Sequence, residues 1–228
     1  MVPRPLAHPP ARLGAGVIAA STLLVLLLAS GAEALDVVVA PYREAAQAGE
    51  VGTVTGRVYA ESRTPSGPVR PLAAVTVTLL PRSPALLASF GQLKEDARRS
   101  AKAFAAAAPA MRRVQESYER ELVQAGVPDL APRIAVTPEG AFRLAEVPAG
   151  AWVVVAWQSL PVDVAAAKAR GREHNLYQLE ARTTGFQAVT IWLREVTVAR
   201  GETVSVELTD RNEWFRGVIE EKTLDAGH

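Results

Sequence analysis

The sequence predicts a mainly β protein: an antiparallel β-sandwich interrupted by an α-helical insertion. Three observations carry this. Between residues 51 and 208, short runs alternate apolar with polar residues, and Gly- and Pro-containing turns separate them. Between residues 84 and 126 the apolar spacing changes to steps of three and four. Strands at such short intervals are the pattern of two antiparallel sheets packed face to face.

The chain begins with Arg4 and Arg12 and no acid, followed by an almost wholly apolar stretch from Leu13 to Ala29. Behind it stand Ser30, Gly31, Ala32, Glu33 and Ala34, small residues of the kind a signal peptidase accepts. Residues 1–34 therefore read as a secretory signal helix, cleaved near Ala34, and the expected location is periplasmic or extracellular. An uncleaved membrane anchor is the alternative. Removing residues 1–34 takes two arginines and one glutamate from 25 basic and 24 acidic residues, which leaves a formally neutral chain. No basic stripe argues for nucleic acid. The chain has no cysteine, which excludes thiolate metal sites, thiol nucleophiles and disulfides, so stability has to come from burial.

Residues 35–50 form a lead-in with no assigned structure, and the β-sandwich is expected over 51–228. In the run from Val51 to Ala60, Val54, Val58 and Ala60 share one face with Gly56, and Thr53, Thr55, Arg57 and Tyr59 share the other. Val75, Val77 and Leu79 alternate in the same way with Thr76 and Thr78. The insertion 84–126 then carries an apolar stripe through Leu86, Phe90, Leu93, Phe104, Ala108, Met111, Tyr118 and Leu122, with an Arg-rich opposite face on which Glu116 and Arg120 are spaced for an ion pair. A straight helix of that length would overrun the sandwich, so the segment either folds at Pro109 into a hairpin or projects as an arm. Gly126 and Pro128 end it.

Strand character returns over Arg133–Val136 and Ala141–Leu144. The run from Ala151 to Gln158, apolar on both faces, reads as a central covered strand. Residues 159–184 are irregular and polar. Val189, Ile191 and Leu193 alternate again, and Val204, Val206 and Leu208 form a closing strand.

Three segments, in this order, resemble the carboxypeptidase regulatory-like domain, a transthyretin-type (prealbumin-like) β-sandwich. They are Gly56 and Val58 with Pro71, Leu72, Val75, Val77 and Leu79; Gly140, Phe142, Leu144, Val147, Pro148, Gly150 and Trp152; and the Val204, Val206, Leu208 strand. The residues 83–132 and 159–184 depart from the pattern as insertions. The shared residues are structural: Gly56, Gly140 and Gly150 for close packing and turns, Phe142 and Trp152 for the space between the sheets. The resemblance implies a fold, and a fold hosts many functions.

For chemistry the sequence offers little. Beyond the signal only His174 and His228 remain, and His174 lies in a polar stretch without a partner motif. No metal-ligand spacing, nucleophile elbow or phosphate loop occurs, so no catalytic residue, cofactor or metal is assigned. The expected function is a non-catalytic exported module that mediates protein interaction at the cell envelope, with the helical insertion as the surface for an envelope protein. The alternative is glycan binding through exposed aromatics, with Trp192, Trp214 and Phe215 as candidate ligand-binding residues and Trp157 assigned to the core. An enzyme of unrecognised type is the remaining alternative.

Overall fold

The computed structural model describes residues 37–62, 64, 67–162 and 183–222. Residues 1–34, read above as a signal, together with His174 and His228, lie outside the described residues. The lead-in holds a short helix, α1 (Ala40–Gln47), which buries Tyr42 and Ala45. Strands β1 (Val51–Ala60), β2 (Arg70–Pro71), β3 (Val75–Pro81), β4 (Arg133–Ala135), β5 (Ala141–Pro148), β6 (Gly150–Val162), β7 (Thr183–Val198), β8 (Thr203–Thr209) and β9 (Phe215–Lys222) form two sheets.

In the four-stranded sheet, β1 is the strand on which the others pair: antiparallel to β5 and β2, and parallel to β8. The parallel pairing departs from an all-antiparallel sandwich. Alternation along Val204, Val206 and Leu208 fixes which face of a strand is buried but not which way its neighbour runs. The five-stranded sheet has the order β4-β3-β6-β7-β9, antiparallel throughout. Thus β1 and β3, consecutive long strands, belong to opposite sheets. On β1, Val54 and Val58 are wholly buried while Arg57 is exposed, so its period-two pattern marks a strand with one solvated face.

Residues directly opposite in a ladder share a face, so register decides what each side of the five-stranded sheet meets. Val77, Ala156 and Trp192 are aligned across β3, β6 and β7, as are Leu79 and Val154. This face looks into the sandwich. The other carries Leu80, Val153, Val155, Trp157 and Ile191. Helices α2 (Pro84–Asp96) and α3 (Ala101–Gln124) cover it. The molecule therefore has three layers, and β6 is apolar on both faces because both are covered.

The insertion packs on the sheet as a helical hairpin, and its bend is not at Pro109. Pro109 lies inside α3, and the chain turns between Asp96 and Ala101, where the Ser100 hydroxyl accepts the Ala103 N–H and caps the new helix. The Ser83 hydroxyl caps α2 in the same way through Leu86 N–H. Phe90, Ala108, Met111 and Leu122 are fully buried, and the Tyr118 hydroxyl donates to the Pro81 carbonyl at 3.0 Å. Gly126, at φ +72°, ends α3.

β6 continues to Val162, and β7 resumes at Thr183, so regular structure occupies both ends of the stretch read as irregular. β9 is a strand that sequence reading did not find.

Candidate functional site

The aromatic residues singled out as a ligand platform do not form one. Trp192 is completely buried, and its indole Nε1 donates to the Thr209 carbonyl of β8 at 2.7 Å. It faces the opposite sheet, on the side of its own sheet away from the insertion. Phe215 is buried under the helices, with its ring 6.1 Å from Phe104. Trp214 is half-buried, 6.0 Å from Phe90, with the Lys94 ammonium 4.7 Å from its ring centroid. Trp214 and Phe215 thus fasten the insertion to the start of β9.

The remaining predicted positions are structural in placement. Gly56 lies beneath Phe142, where a Cβ would overlap the Phe142 ring and the Val206 carbonyl. Gly140 sits at φ +76°, and its carbonyl accepts the Val58 N–H at 2.7 Å. Gly150 abuts the Tyr42 ring, and the Trp152 indole donates to the Pro148 carbonyl at 2.9 Å.

A groove opens elsewhere, between α3 and the outer faces of β3 and β6, with a volume of about 320 Å³. Its floor follows from register. Thr76 of β3 lies opposite Trp157 of β6 on the helix-facing side, and Ser159 is the next residue of β6 on that side. Along that face β6 changes from Val153 and Val155 to Trp157 and Ser159, so the apolar seal under α3 gives way to a partly buried indole and a hydroxyl.

A relay of hydrogen bonds fixes the groove. Trp157 Nε1 donates to Gln115 Oε1 at 2.7 Å, and Gln115 Nε2 donates to Glu119 at 2.8 Å. Glu119 in turn accepts from Arg133 Nη2 on both carboxylate oxygens, each at 2.7 Å, and Arg133 Nε donates to Thr78 Oγ1 at 3.2 Å. Above the indole lies Arg112, its guanidinium carbon 5.3 Å from the ring centroid and one nitrogen 3.4 Å from Ser159 Oγ. Glu116, exposed, lines the same groove. It forms no ion pair with Arg120 among the described residues. At the rim Ala74 holds φ +57°, a conformation a non-glycine residue adopts at a cost, and Gln158 Nε2 donates to the neighbouring Ala73 carbonyl at 2.8 Å.

Sequence reading placed Trp157 in the core and Arg112 and Glu116 on a solvated helix face. The one local signal was the change from valines to Trp157, Gln158 and Ser159 at the end of an apolar run. The groove itself depends on where α3 crosses the sheet. Among the described residues no group of three or more His, Asp or Glu side chains converges as a metal site.

No family model matches the chain, and no curated protein matches it. Similar solved structures include a candidate carbohydrate-binding protein from Pseudomonas aeruginosa, 15% identical, covering 70% of this chain and 88% of that one with a TM-score of 0.37. Another is the pilus backbone from Streptococcus pneumoniae, 9% identical, covering 69% of this chain and 40% of that one with a TM-score of 0.25.

Proposed function

We propose that the protein is an exported, non-catalytic β-sandwich module that binds a saccharide in the groove between α3 and the five-stranded sheet. The observation that carries this is the partly buried Trp157 ringed by Arg112, Gln115, Glu116, Thr76 and Ser159. A sugar presents apolar C–H faces and hydroxyls that both donate and accept. An indole flanked by guanidinium, carboxylate and hydroxyl groups offers a partner for each. The groove is at the small end of the volume range for small-molecule sites, enough for one or two residues of a chain lying across it.

The reading of the insertion as a separate surface for an envelope protein loses its main support, since the apolar stripe of α2 and α3 is spent on the sheet. Kinship with the carboxypeptidase regulatory-like domain remains part of the proposal, supported by the packing of Phe142 on Gly56 and by the Gly140 turn. Export is supported by the charged start, apolar core and small-residue site of residues 1–34. Intact-mass measurement of envelope material should show a chain beginning at Leu35.

The binding test is a glycan array followed by calorimetry on the full chain. A saccharide should bind the wild type, and Trp157→Ala should weaken it by about tenfold or more, the worth of one aromatic contact. Binding that ignores Trp157 would overturn the site.

A further inference from the structure

We infer that the saccharide carries a carboxylate, a uronic acid residue, and that Arg112 is the group that recognises it. This rests on the saccharide-binding reading of the groove. Among the described residues only two arginines are part-buried, Arg112 and Arg194. Arg194 donates to two backbone carbonyls, those of Leu193 and Asn212, at 3.1 and 2.8 Å. Among the described residues Arg112 has the Ser159 hydroxyl, at 3.4 Å, and the face of Trp157 as its partners. A guanidinium has five N–H donors and is costly to withdraw from water without an anionic or strongly accepting partner.

The second arginine of the groove makes the contrast sharper, because Arg133 is ion-paired with Glu119, its Nη2 donating to both carboxylate oxygens. The positive charge left over is therefore at Arg112. Seating on the indole positions the guanidinium while leaving N–H groups at its edge, the arrangement that meets a planar carboxylate with two parallel bonds.

Glu116 selects within the anions. It lies one helical turn from Arg112 in the same groove and carries no ion pair among the described residues. Its carboxylate can accept sugar hydroxyls but repels a second negative group. One carboxylate flanked by neutral hydroxyls satisfies both residues, as a uronate ring does, whereas a compact polyanion satisfies only Arg112.

The test is calorimetry on the full chain with trisaccharides of galacturonate, glucuronate and mannuronate, each beside its methyl ester, and with citrate as a simple polyanion. The ester keeps the ring and removes the charge, so the comparison needs no variant. At least one acid should bind about tenfold or more tightly than its ester, the effect of one charge-assisted contact. Arg112→Gln should abolish that preference, weakening the acid by about tenfold more than it weakens the ester, and Arg112→Lys, which keeps charge but loses the planar fork, should restore part of the preference.

Equal, Trp157-dependent binding of acid and ester would overturn the carboxylate inference and leave the saccharide site standing. Citrate binding as tightly as the best acid would overturn it in favour of a general anion site. Failure of every uronate and ester, with a neutral glycan bound at Trp157, would also overturn it. Failure of all saccharides would remove both readings.

Discussion

The ring of Tyr42 stands edge-on to the indole of Trp152, with centroids 5.0 Å apart and planes at 76°. The Tyr42 hydroxyl donates to the Ala151 carbonyl at 2.6 Å, and the ring sits against Gly150. Through this contact α1, built from a segment with no legible pattern, becomes part of the sandwich core. Tyr42→Ala should cost about 3 to 5 kcal/mol, the range for truncating a buried aromatic. Tyr42→Phe, which removes only the hydrogen bond, should cost about 1 kcal/mol. Urea midpoints distinguish them, and equal losses would mean that the ring contributes nothing.

The same residue sets an alkaline limit. Burial raises the Tyr42 phenol above its ordinary value, so the folded state keeps its proton where the unfolded chain has lost it. The stabilisation is complete below about pH 10, the free phenol's value, and is lost as pH rises through the raised folded one. Stability should therefore fall as pH rises above about 10, and Tyr42→Phe should flatten that fall. Tyr59 is also raised, first by its hydrogen bond to Glu207, but it is exposed, so Tyr59→Phe serves as the control and should leave the slope nearly unchanged.

Phe142 and Gly56 test how closely the four-stranded sheet packs. Phe142→Ala should cost about 3 to 5 kcal/mol. Gly56→Ala should also destabilise, and adding Phe142→Leu should not rescue it, because the new methyl meets the Val206 backbone carbonyl as well as the Phe142 ring. Thermal melts of the two single variants and the double give the answer. Recovery in the double would show that only the side chain was in the way.

Much of the sandwich was legible because its strands obey one local rule. Val54 and Val58 alternate with Thr55 and Arg57, and such a pattern survives without knowledge of the partner strand. What escaped depended on neighbours. Trp192 read as outward-facing because Val189, Ile191 and Leu193 fill the alternate positions, but β7 is covered on both faces, so alternation there distinguishes two kinds of inside. β9 mixes Arg216, Glu220 and Glu221 with Val218 and Ile219, as an edge strand does, and this weakens its period. The groove was hidden for a further reason: Trp157 looks like a core residue in any window and does pack against the core, and only the crossing of α3 leaves part of it open to the groove.

Pro109 illustrates the same limit at the level of one helix. A proline lacks the N–H for the bond one turn back and crowds the preceding carbonyl, so sequence alone favours a break there. The buried side chains Ala107, Ala108 and Met111 hold α3 continuous through it. Pro109→Ala should then stabilise the protein, by up to about 3 kcal/mol. A loss of stability in chemical denaturation would mean that the ring itself fills space between helix and sheet.

The insertion as a whole gives the strongest test of the three-layer fold. Replacing residues 84–131 by a short Gly/Ser loop is topologically easy, because β3 and β4 already pair through Thr78 and Arg133. Loop entropy opposes it little, changing by about 0.6 kcal/mol per doubling of length. The obstacle is the face uncovered: Leu80, Val153, Val155 and Ile191 are all fully buried on the helix side. Each buried aliphatic side chain is worth about 1.5 to 3 kcal/mol, so the loss approaches the whole stability of a typical domain. The shortened protein should retain β structure at most transiently and aggregate through the exposed sheet face, as light scattering and circular dichroism would report. A soluble, monodisperse, β-rich product would show instead that the sandwich core between the two sheets suffices and that the helices are an addition to it. That product would also lack Arg112 and Gln115, so its failure to bind any saccharide would locate the groove independently of point variants.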